Sequence, residues 1–248
     1  MHWRIHSKAK TGSTNIDARD GSPGDVFTAD FQTAGRGRLD HKWLSPPGTN
    51  LMMSIVLPVA GLPPEQVATL PLVVGLAIVR AISRIAPGAT PALKWPNDVL
   101  IKGRKVCGIL CERNGDNVIA GIGVNVKQQE FPPELAERAA SLCDATGFRG
   151  GVEEVRAAVL NEVGEIFESW KGRGFASLWP EIAKIDFLKG REIAVLQTDA
   201  DVTPTSGVCG GIRSDGALDV GGIAVYAGEA HVVSAGRTTC VRQASRRS

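Results

Sequence analysis

Two short, cationic, glycine-bearing segments hold the residues of this chain whose types and spacing best suit chemistry. They are QTAGRGRLDHKW at residues 32–43 and KWPNDVLIKGRKVCGIL at residues 94–110. Arginine guanidinium groups bind carboxylates and phosphates through paired hydrogen bonds, and backbone amides of glycine-rich turns form concavities that bind anions. The two segments together therefore predict a pocket that holds a small acid and a polyphosphate, and that acts by positioning and by stabilising charge.

Other chemistries lack their sequence signals. The chain contains no GxxxxGK[ST] phosphate loop, no complete GxGxxG, no GxSxG and no HExxH. Each charged segment also has a simpler interpretation, because an isolated GRGR suits a surface loop with solvated charges and Lys105 alone suits a solvated cation after a turn. The residues by themselves thus support binding of an anionic ligand. Activation of a carboxylate by ATP is one reaction that such a pocket could catalyse.

The composition of the 248 residues is that of a globular protein, with 43% hydrophobic and 22% charged residues. A formal net charge of +2 does not by itself imply a nucleic-acid partner. The N-terminal sequence lacks the apolar region of a signal peptide, and the apolar stretch near residues 70–85 is interrupted by Pro71 and by polar residues. Five cysteines without a CxxC pair predict free thiols. We therefore expect a cytoplasmic protein with no membrane partner.

The elements that must position the two segments are mostly strands, followed by helices. Strands are predicted at residues 25–31, 50–58, 92–95, 99–101, 106–110 and 117–126, with Lys102-Gly103-Arg104 as a turn. Helices are predicted at residues 65–86, 133–142, 153–170 and 176–185, and a short one from Asn15 with Ser13 or Thr14 as its N-cap. Strands followed by helices favour an α+β fold with a mixed or antiparallel sheet.

The pattern changes again near residue 188. Strands are predicted at residues 191–197, 223–226 and 230–233, and Asp215-Gly216 predicts a hairpin turn. Such short strands predict a small, barrel-like β module. We therefore divide the chain into a catalytic domain at 1–188, a β domain at 189–235 and a basic tail at 236–248 that we expect to be disordered.

Five motifs occur in a fixed order. They are STN at 13–15, QTAGRGR at 32–38, KWPND at 94–98, GRKVCGIL at 103–110 and GIGVNV at 121–126. With these motifs the chain resembles the biotin–protein ligase family, the biotin–[acetyl-CoA-carboxylase] ligases, over about residues 10–234. The combination of KWPND with GRKxxGIL is the specific part of this resemblance. The resemblance implies a catalytic domain with a class II aminoacyl-tRNA synthetase-like fold and a C-terminal SH3-like β-barrel.

The resemblance also implies a reaction in two steps. Biotin's carboxylate attacks the α-phosphate of ATP in the presence of Mg²⁺, which gives biotinyl-5′-AMP and pyrophosphate. A lysine on the biotin carboxyl carrier domain of a biotin-dependent carboxylase then attacks this anhydride and releases AMP. Because STN begins at Ser13, the resemblance is to the monofunctional class without an N-terminal DNA-binding domain. No DNA partner is expected, and a homodimer is left open.

Roles follow from the resemblance residue by residue. The expected biotin-binding residues are Ser13, Thr14, Asn15, Gln32, Arg36, Gly37, Arg38, Lys105 and Gly108. The expected ATP-binding residues are Arg36, Arg38, Trp43, Lys94, Asn97, Asp98 and Asn125. Lys105 and Arg38 are the expected catalytic residues, because a fixed positive charge stabilises a phosphoryl transition state. No metal ligand is assigned.

The chain departs from the family pattern after Arg38. The family loop commonly continues GRGRRGRxW, whereas His41 stands here where an arginine is usual, after Asp40. We expect one phosphate contact to be weaker or pH-dependent, or to pass to Lys42. Two alternative functions stay open: a lipoate or octanoate ligase or transferase of the same fold, and a non-catalytic biotin-sensing or nucleic-acid-binding protein that uses the cationic tail.

Overall fold

The computed structural model describes residues 1–39, 41–196 and 203–233. Its centre is a mixed seven-stranded sheet with the order β1-β2-β3-β7-β6-β5-β4. The strands are β1 (Arg4–Thr11), β2 (Asp25–Gln32), β3 (Leu51–Pro58), β4 (Pro91–Lys94), β5 (Asp98–Ile101), β6 (Arg104–Asn114) and β7 (Asn117–Val124). The β1–β2 pair is parallel and the other pairs are antiparallel.

Six α-helices accompany this sheet in the described residues. They are α1 (Thr14–Asp17), α2 (Pro64–Ala68), α3 (Leu70–Ile85), α4 (Leu142–Thr146), α5 (Val152–Arg173) and α6 (Trp179–Ile182), with 3-10 turns at Ala18–Asp20 and Phe175–Ser177. Helix α3 is buried along most of its length and packs against α5 and against strands β4, β5 and β6. It therefore forms the core, as its apolar sequence predicts. None of the helices described is long and apolar enough to cross a bilayer.

A second, five-stranded antiparallel sheet follows, with the order β11-β10-β9-β8-β12. Its strands are β8 (Glu192–Leu196), β9 (Thr205–Ile212), β10 (Leu218–Val220), β11 (Ile223–Val225) and β12 (Glu229–Val232). Trp95 Nε1 donates to Gly216 O at 3.2 Å, and Trp179 Nε1 donates to Ile212 O at 2.7 Å, so side chains of the first part hold the second sheet in place. The α+β class and the small C-terminal β module are confirmed.

The predicted hairpin in residues 94–110 is also confirmed. Strands β5 and β6 pair as antiparallel neighbours, and the two turn residues Lys102 and Gly103 have φ of 50° and 77°. Two positive φ angles define the turn whose twist matches that of a two-residue hairpin. The turn therefore delivers Lys105 to the start of β6, next to the β4–β5 connection.

The structure differs from the sequence predictions in several elements. Strand β1 was not predicted, because its side chains are nearly all exposed and show no apolar alternation. The predicted helix at 133–142 is wrong: this segment is mainly a turn, and its backbone pairs with β6 instead. Lys105 N donates to Arg138 O at 2.7 Å, and Ala140 N donates to Lys105 O at 3.0 Å. These tertiary hydrogen bonds replace the helical ones and fix the backbone of Lys105.

The predicted helix at 65–86 is two helices, α2 and α3, which meet at Thr69. Pro71 has no N–H to continue the first helix, and it occupies the first turn of the second. The hydroxyl of Thr69 donates to Gln66 O at 2.7 Å and accepts from Trp170 Nε1 at 3.0 Å. The predicted helix at 176–185 is likewise shorter than expected. The domain boundary at 188/189 stays a prediction, and the tail at 236–248 lies outside the described residues.

Candidate active site

The predicted site residues converge on one cleft between the Arg-Gly loop (residues 32–43) and strands β5, β6 and β7. The cleft contains about 880 Å³ of space between its side chains, part of it open to solvent. The structure brings these predicted residues to its lining: Ser13, Thr14, Asn15, Gln32, Arg36, Gly37, Arg38, Trp43, Lys94, Asn97, Asp98, Lys105 and Gly108. The remaining predicted residue, Asn125, lies outside the lining. Thirteen of the fourteen predicted residues therefore line one cleft.

One end of the cleft is neutral and polar. Thr14, at the start of α1, donates its backbone N–H to Gln32 Oε1 at 2.7 Å. Asn15 is buried, and its Oδ1 lies 2.6 Å from Ser54 Oγ on β3, which also lies 2.8 Å from Thr14 Oγ1. Ser13 occupies the N-cap position of α1 without a side-chain capping bond. Side chains with both donors and acceptors line this end, so it suits an uncharged polar group.

The other end of the cleft is cationic. Lys105 Nζ lies 2.7 Å from Asp98 Oδ1. This ion pair joins the start of β5 to β6. Lys94 is largely buried beside them. Burial lowers the pKa of Lys94, although the nearby carboxylates of Asp98 and Glu229 act in the opposite direction. With Arg38, the two lysines outnumber the carboxylates of Asp98 and Glu229 by one charge, so this end is net positive and suits an anionic ligand.

Arg38 extends from the Arg-Gly loop to the same end. Its Nη1 donates to Asn97 Oδ1 at 3.4 Å and to Gly228 O at 3.3 Å. Burial lowers the pKa of Arg38, and the charges of Asp98 and Glu229 oppose this effect. Asn97 is itself fixed, because its Nδ2 donates to Ile109 O at 2.7 Å. The loop, the sheet and the C-terminal module thus meet at Arg38.

Trp43 lies against two glycine positions of β6 and β7, between the two ends. A Cβ on Gly123 would lie 2.5 Å from the Trp43 ring, and one on Gly108 would lie 3.1 Å from it. Lys105 Nζ is 5.9 Å from the ring centroid. The glycines of the GIGVNV and GRKVCGIL motifs therefore allow an aromatic ring to lie flat on the strands and offer a stacking surface.

The glycines of the Arg-Gly loop serve the loop's own packing. A Cβ on Gly35 would lie 2.5 Å from Trp43 O, and one on Gly37 would lie 3.1 Å from His41 O. The loop is closed by backbone bonds from Trp43 N to Gly35 O at 2.9 Å and from Gly37 N to His41 O at 2.7 Å. The predicted binding of an anion by the amides of a glycine-rich turn is therefore not needed to explain these two glycines. His41 lines the cleft, whereas Asp40 lies outside the described residues.

Asn125 supports the cleft from behind. It is buried, and its Nδ2 donates to Ala140 O at 3.2 Å and lies 3.5 Å from Lys105 O. Its backbone N–H donates to Val106 O at 2.8 Å. The amide that was expected to contact a nucleotide is thus directed at the backbone that carries Lys105.

Several lining or supporting residues were missed from the sequence. Ser54 is a single polar residue inside the apolar strand sequence LMMSIVLP, and this interruption was an available signal. Glu112 lies on β6 and contacts both Asn15 and Arg36. Glu229 and Ala230 reach the cleft from β12. No local pattern could show that the C-terminal module contributes to this site.

The described residues give no sign of thiol chemistry, and the cleft holds carboxylates that are possible metal ligands. Burial raises the pKa of Cys107, and it raises that of Cys111 to about 12, so neither is a thiolate near neutral pH. The four cysteines in the described part of the chain are free. No group of three or more metal-binding side chains occurs there. Two carboxylates, those of Asp98 and Glu229, line the cleft.

The fold agrees with comparisons to known proteins. The profile of the biotin/lipoate A/B protein ligase family matches residues 4–129. A biotin protein ligase from Aquifex aeolicus, solved in complex with biotin and ATP, superposes with a TM-score of 0.82 at 32% identity, covering 92% of this chain and 98% of that chain. The ligase from Leishmania major in complex with biotinyl-5-AMP gives a TM-score of 0.66 at 26% identity, covering 93% and 98% of the two chains.

Two curated relatives are similar over a shorter part of their length. The bifunctional ligase/repressor BirA of Bacillus subtilis is 39% identical over 177 residues, which is 67% of this chain and 51% of the relative. The biotin–[acetyl-CoA-carboxylase] ligase of Mycobacterium tuberculosis is 35% identical over 178 residues, which is 68% of this chain and 66% of the relative. The chain thus spans about half the length of the Bacillus relative. It belongs to the biotin/lipoate A/B protein ligase family.

Proposed function

We propose that this chain is a biotin–protein ligase that activates biotin with ATP and transfers it to a lysine of a biotin carboxyl carrier domain. The observation that carries the proposal is the division of the cleft into a polar end, the surface of Trp43 and a cationic end, where Lys105 Nζ and Asp98 Oδ1 are 2.7 Å apart. The polar end matches an uncharged ureido ring, the cationic end matches a carboxylate beside a phosphate, and the indole ring matches a purine. The similarity to ligases that bind biotin and ATP supports the same assignment.

In the first step a carboxylate oxygen of biotin bonds to the α-phosphorus of ATP. The bond from this phosphorus to the bridging oxygen breaks, and pyrophosphate leaves with the electron pair. Lys105 and Arg38 hold their positive charges beside the oxygens on which negative charge develops, without having to reorganise. The two cations act mainly by bringing two anions together and by stabilising the crowded phosphoryl group.

In the second step the amine of the carrier lysine attacks the carbonyl carbon of the anhydride. The carbon–oxygen bond to the phosphate breaks, AMP leaves, and the nitrogen loses a proton to give the amide. The same two cations, Lys105 and Arg38, stabilise the phosphate as it leaves. The partner that this step requires is a carrier domain with an exposed lysine.

Mg²⁺ would be held mainly by ATP phosphate oxygens and water, since this ion commonly uses only one or two protein carboxylates. The two carboxylates of the lining, Asp98 and Glu229, have the right donor chemistry. When bound, the ion neutralises charge on the phosphates. We further propose two domains, 1–188 and 189–235. The second domain closes the cationic end of the cleft, where ATP would bind, through Glu229 and Ala230.

Biotin-dependent exchange of pyrophosphate into ATP tests the proposal, because it reports the first step without a carrier protein. We expect exchange with biotin, and no exchange with lipoate or octanoate. Titration calorimetry with biotin and with lipoate provides the binding counterpart. Exchange that depends on lipoate would instead identify the chain as a lipoate ligase of the same fold. Biotin binding without exchange would identify a non-catalytic sensor.

A further inference from the structure

We propose that Glu112 is a positioning residue that orders the polar end of the cleft and ties the Arg-Gly loop to it. The inference rests on the proposed function, since it concerns how this end binds biotin. Glu112 lies on β6 outside the cleft lining. Its Oε2 accepts from Asn15 Nδ2 at 2.7 Å, and its Oε1 lies 2.9 Å from Arg36 Nη1. One carboxylate thus contacts both walls of the polar end.

The contact with Asn15 fixes the direction of a chain of hydrogen bonds. A carboxylate can only accept, so Asn15 must turn its amide nitrogen to Glu112 and its Oδ1 to Ser54. Ser54 must then donate to Oδ1, at 2.6 Å, and its oxygen lies 2.8 Å from Thr14 Oγ1, whose own hydroxyl donates to Gln32 Oε1 at 3.1 Å. The other acceptor near the Asn15 amide, Leu110 O, is at 3.5 Å. Glu112 is therefore the group that sets this order.

Asn15 has little freedom to compensate for the loss of Glu112. It is 5% exposed, and a Cβ on Gly121 would overlap its Oδ1. The backbone of β7 therefore restricts the position of the carboxamide. A buried amide nitrogen without its acceptor is costly, whereas the same loss at the surface is nearly free. The effect of Glu112 is thus transmitted through a buried, sterically fixed residue.

The contact with Arg36 is different in kind. The side chains of Arg36 and Glu112 are 40% and 27% exposed, and pairs of this exposure contribute little to folding stability. The pair nevertheless connects the loop to β6 at the point where the polar end begins. We therefore expect it to influence how long a ligand stays bound more than how stable the fold is.

Ureido groups present both an acceptor and donors, so their affinity depends on the direction of every hydrogen bond in the polar end. Loss of Glu112 should weaken biotin binding more than nucleotide binding, because Trp43 and Lys105 do not contact it and Arg36 is the one expected ATP-binding residue that it holds. We expect Glu112→Ala to raise the dissociation constant for biotin by about 10- to 100-fold, the effect of losing a charged hydrogen bond. Glu112→Gln keeps an acceptor for Asn15 but not the charge for Arg36, and should restore part of the affinity.

The experiment is calorimetric titration of the full chain with biotin and, separately, with a non-hydrolysable ATP analogue. Wild type, Glu112→Ala, Glu112→Gln and the control Glu181→Ala are compared. Glu181 also forms an arginine pair, with Arg80 at 2.6 Å, but away from the cleft. Biotin affinity should fall in the order wild type, Gln, Ala, with the control equal to wild type and with a clearly smaller change in affinity for the analogue.

Each other outcome has a distinct meaning. Biotin binding by Glu112→Ala equal to that of wild type overturns the inference and leaves the proposed function intact. Equal losses of biotin and analogue binding also overturn it, because they indicate a general structural role. If circular dichroism shows that the Ala variant is unfolded, the test uses the Gln variant. Its affinities for biotin and for the analogue are then compared with those of wild type in the same way. Wild-type protein that does not bind biotin refutes the proposed function instead.

Discussion

The ammonium of Lys105 is held 2.7 Å from Asp98 Oδ1, on a backbone that is itself bonded on both sides by residues 138–140. The side chain is therefore placed from two directions, by an ion pair with the neighbouring strand and by a turn packed along β6. A charge fixed in this way stabilises a transition state without reorganising. This arrangement makes Lys105 the residue most directly tied to the proposed chemistry.

Replacement of this residue gives the first prediction. Lys105→Ala should lower the rate of biotin-dependent ATP–pyrophosphate exchange by about 10²-fold or more, the loss typical of one transition-state donor. Lys127→Ala is a matched control, since Lys127 is exposed and does not line the cleft. An exchange rate in Lys105→Ala close to that of the control would remove Lys105 from the catalytic step.

The Trp43 surface can be tested through the glycine beneath it. Gly123→Ala places a methyl group 2.5 Å from the indole ring and should displace it. We expect the KM for ATP to rise by about 10-fold, because overpacking typically costs about 1–3 kcal/mol. The tryptophan fluorescence should change as well. Gly12→Ala is the control, because no atom lies within 4 Å of a Cβ there. An unchanged KM for ATP would argue against a role of Trp43 in nucleotide binding.

Acid stability depends on Asp25 at the start of β2. Burial raises the pKa of this carboxyl, but bonds from His6, Ser22 N and Arg4 outweigh it and lower the pKa from 3.8 to about 2. A depressed pKa stabilises the fold above pH 3.8, and this contribution is lost as the pH falls towards 2. Wild type should therefore have a higher urea midpoint than Asp25→Asn at pH 5, and the difference should shrink by pH 2.5. A constant difference would show that ionisation of Asp25 is not responsible.

The joint between the two sheets depends on Asp186. Its carboxylate accepts from Leu188 N at 2.9 Å and from Ile212 N at 2.8 Å. Asp186→Ala leaves both donors without their acceptor and should lower the free energy of unfolding by about 2–4 kcal/mol. Asp219→Ala, which removes one exposed bond to Gly222 N, should cost less than about 1 kcal/mol. Equal urea unfolding curves for the two variants would contradict a special role for Asp186.

The polar and cationic segments could be identified from the sequence, because glycine, arginine and lysine at fixed spacing restrict backbone and charge locally. The Lys102–Gly103 turn and the buried helix α3 belong to the same category, since turn chemistry and apolar periodicity are properties of a few adjacent residues. The missed strand β1 shows the limit of this reasoning. Its exposed residues carry no pattern, and it is a strand because β2 offers it hydrogen bonds.

The sequence by itself determined the ingredients of the site: a polar triplet, an arginine loop, a lysine hairpin and glycines in β6 and β7. Only the tertiary structure decided how they act on one another. It showed that Asn125 supports the backbone of Lys105, that Glu112 orders Asn15, and that Gly228 on the C-terminal module accepts from Arg38. These contacts join residues far apart in the chain, and their formation depends on the packing of two sheets, for which no local pattern codes.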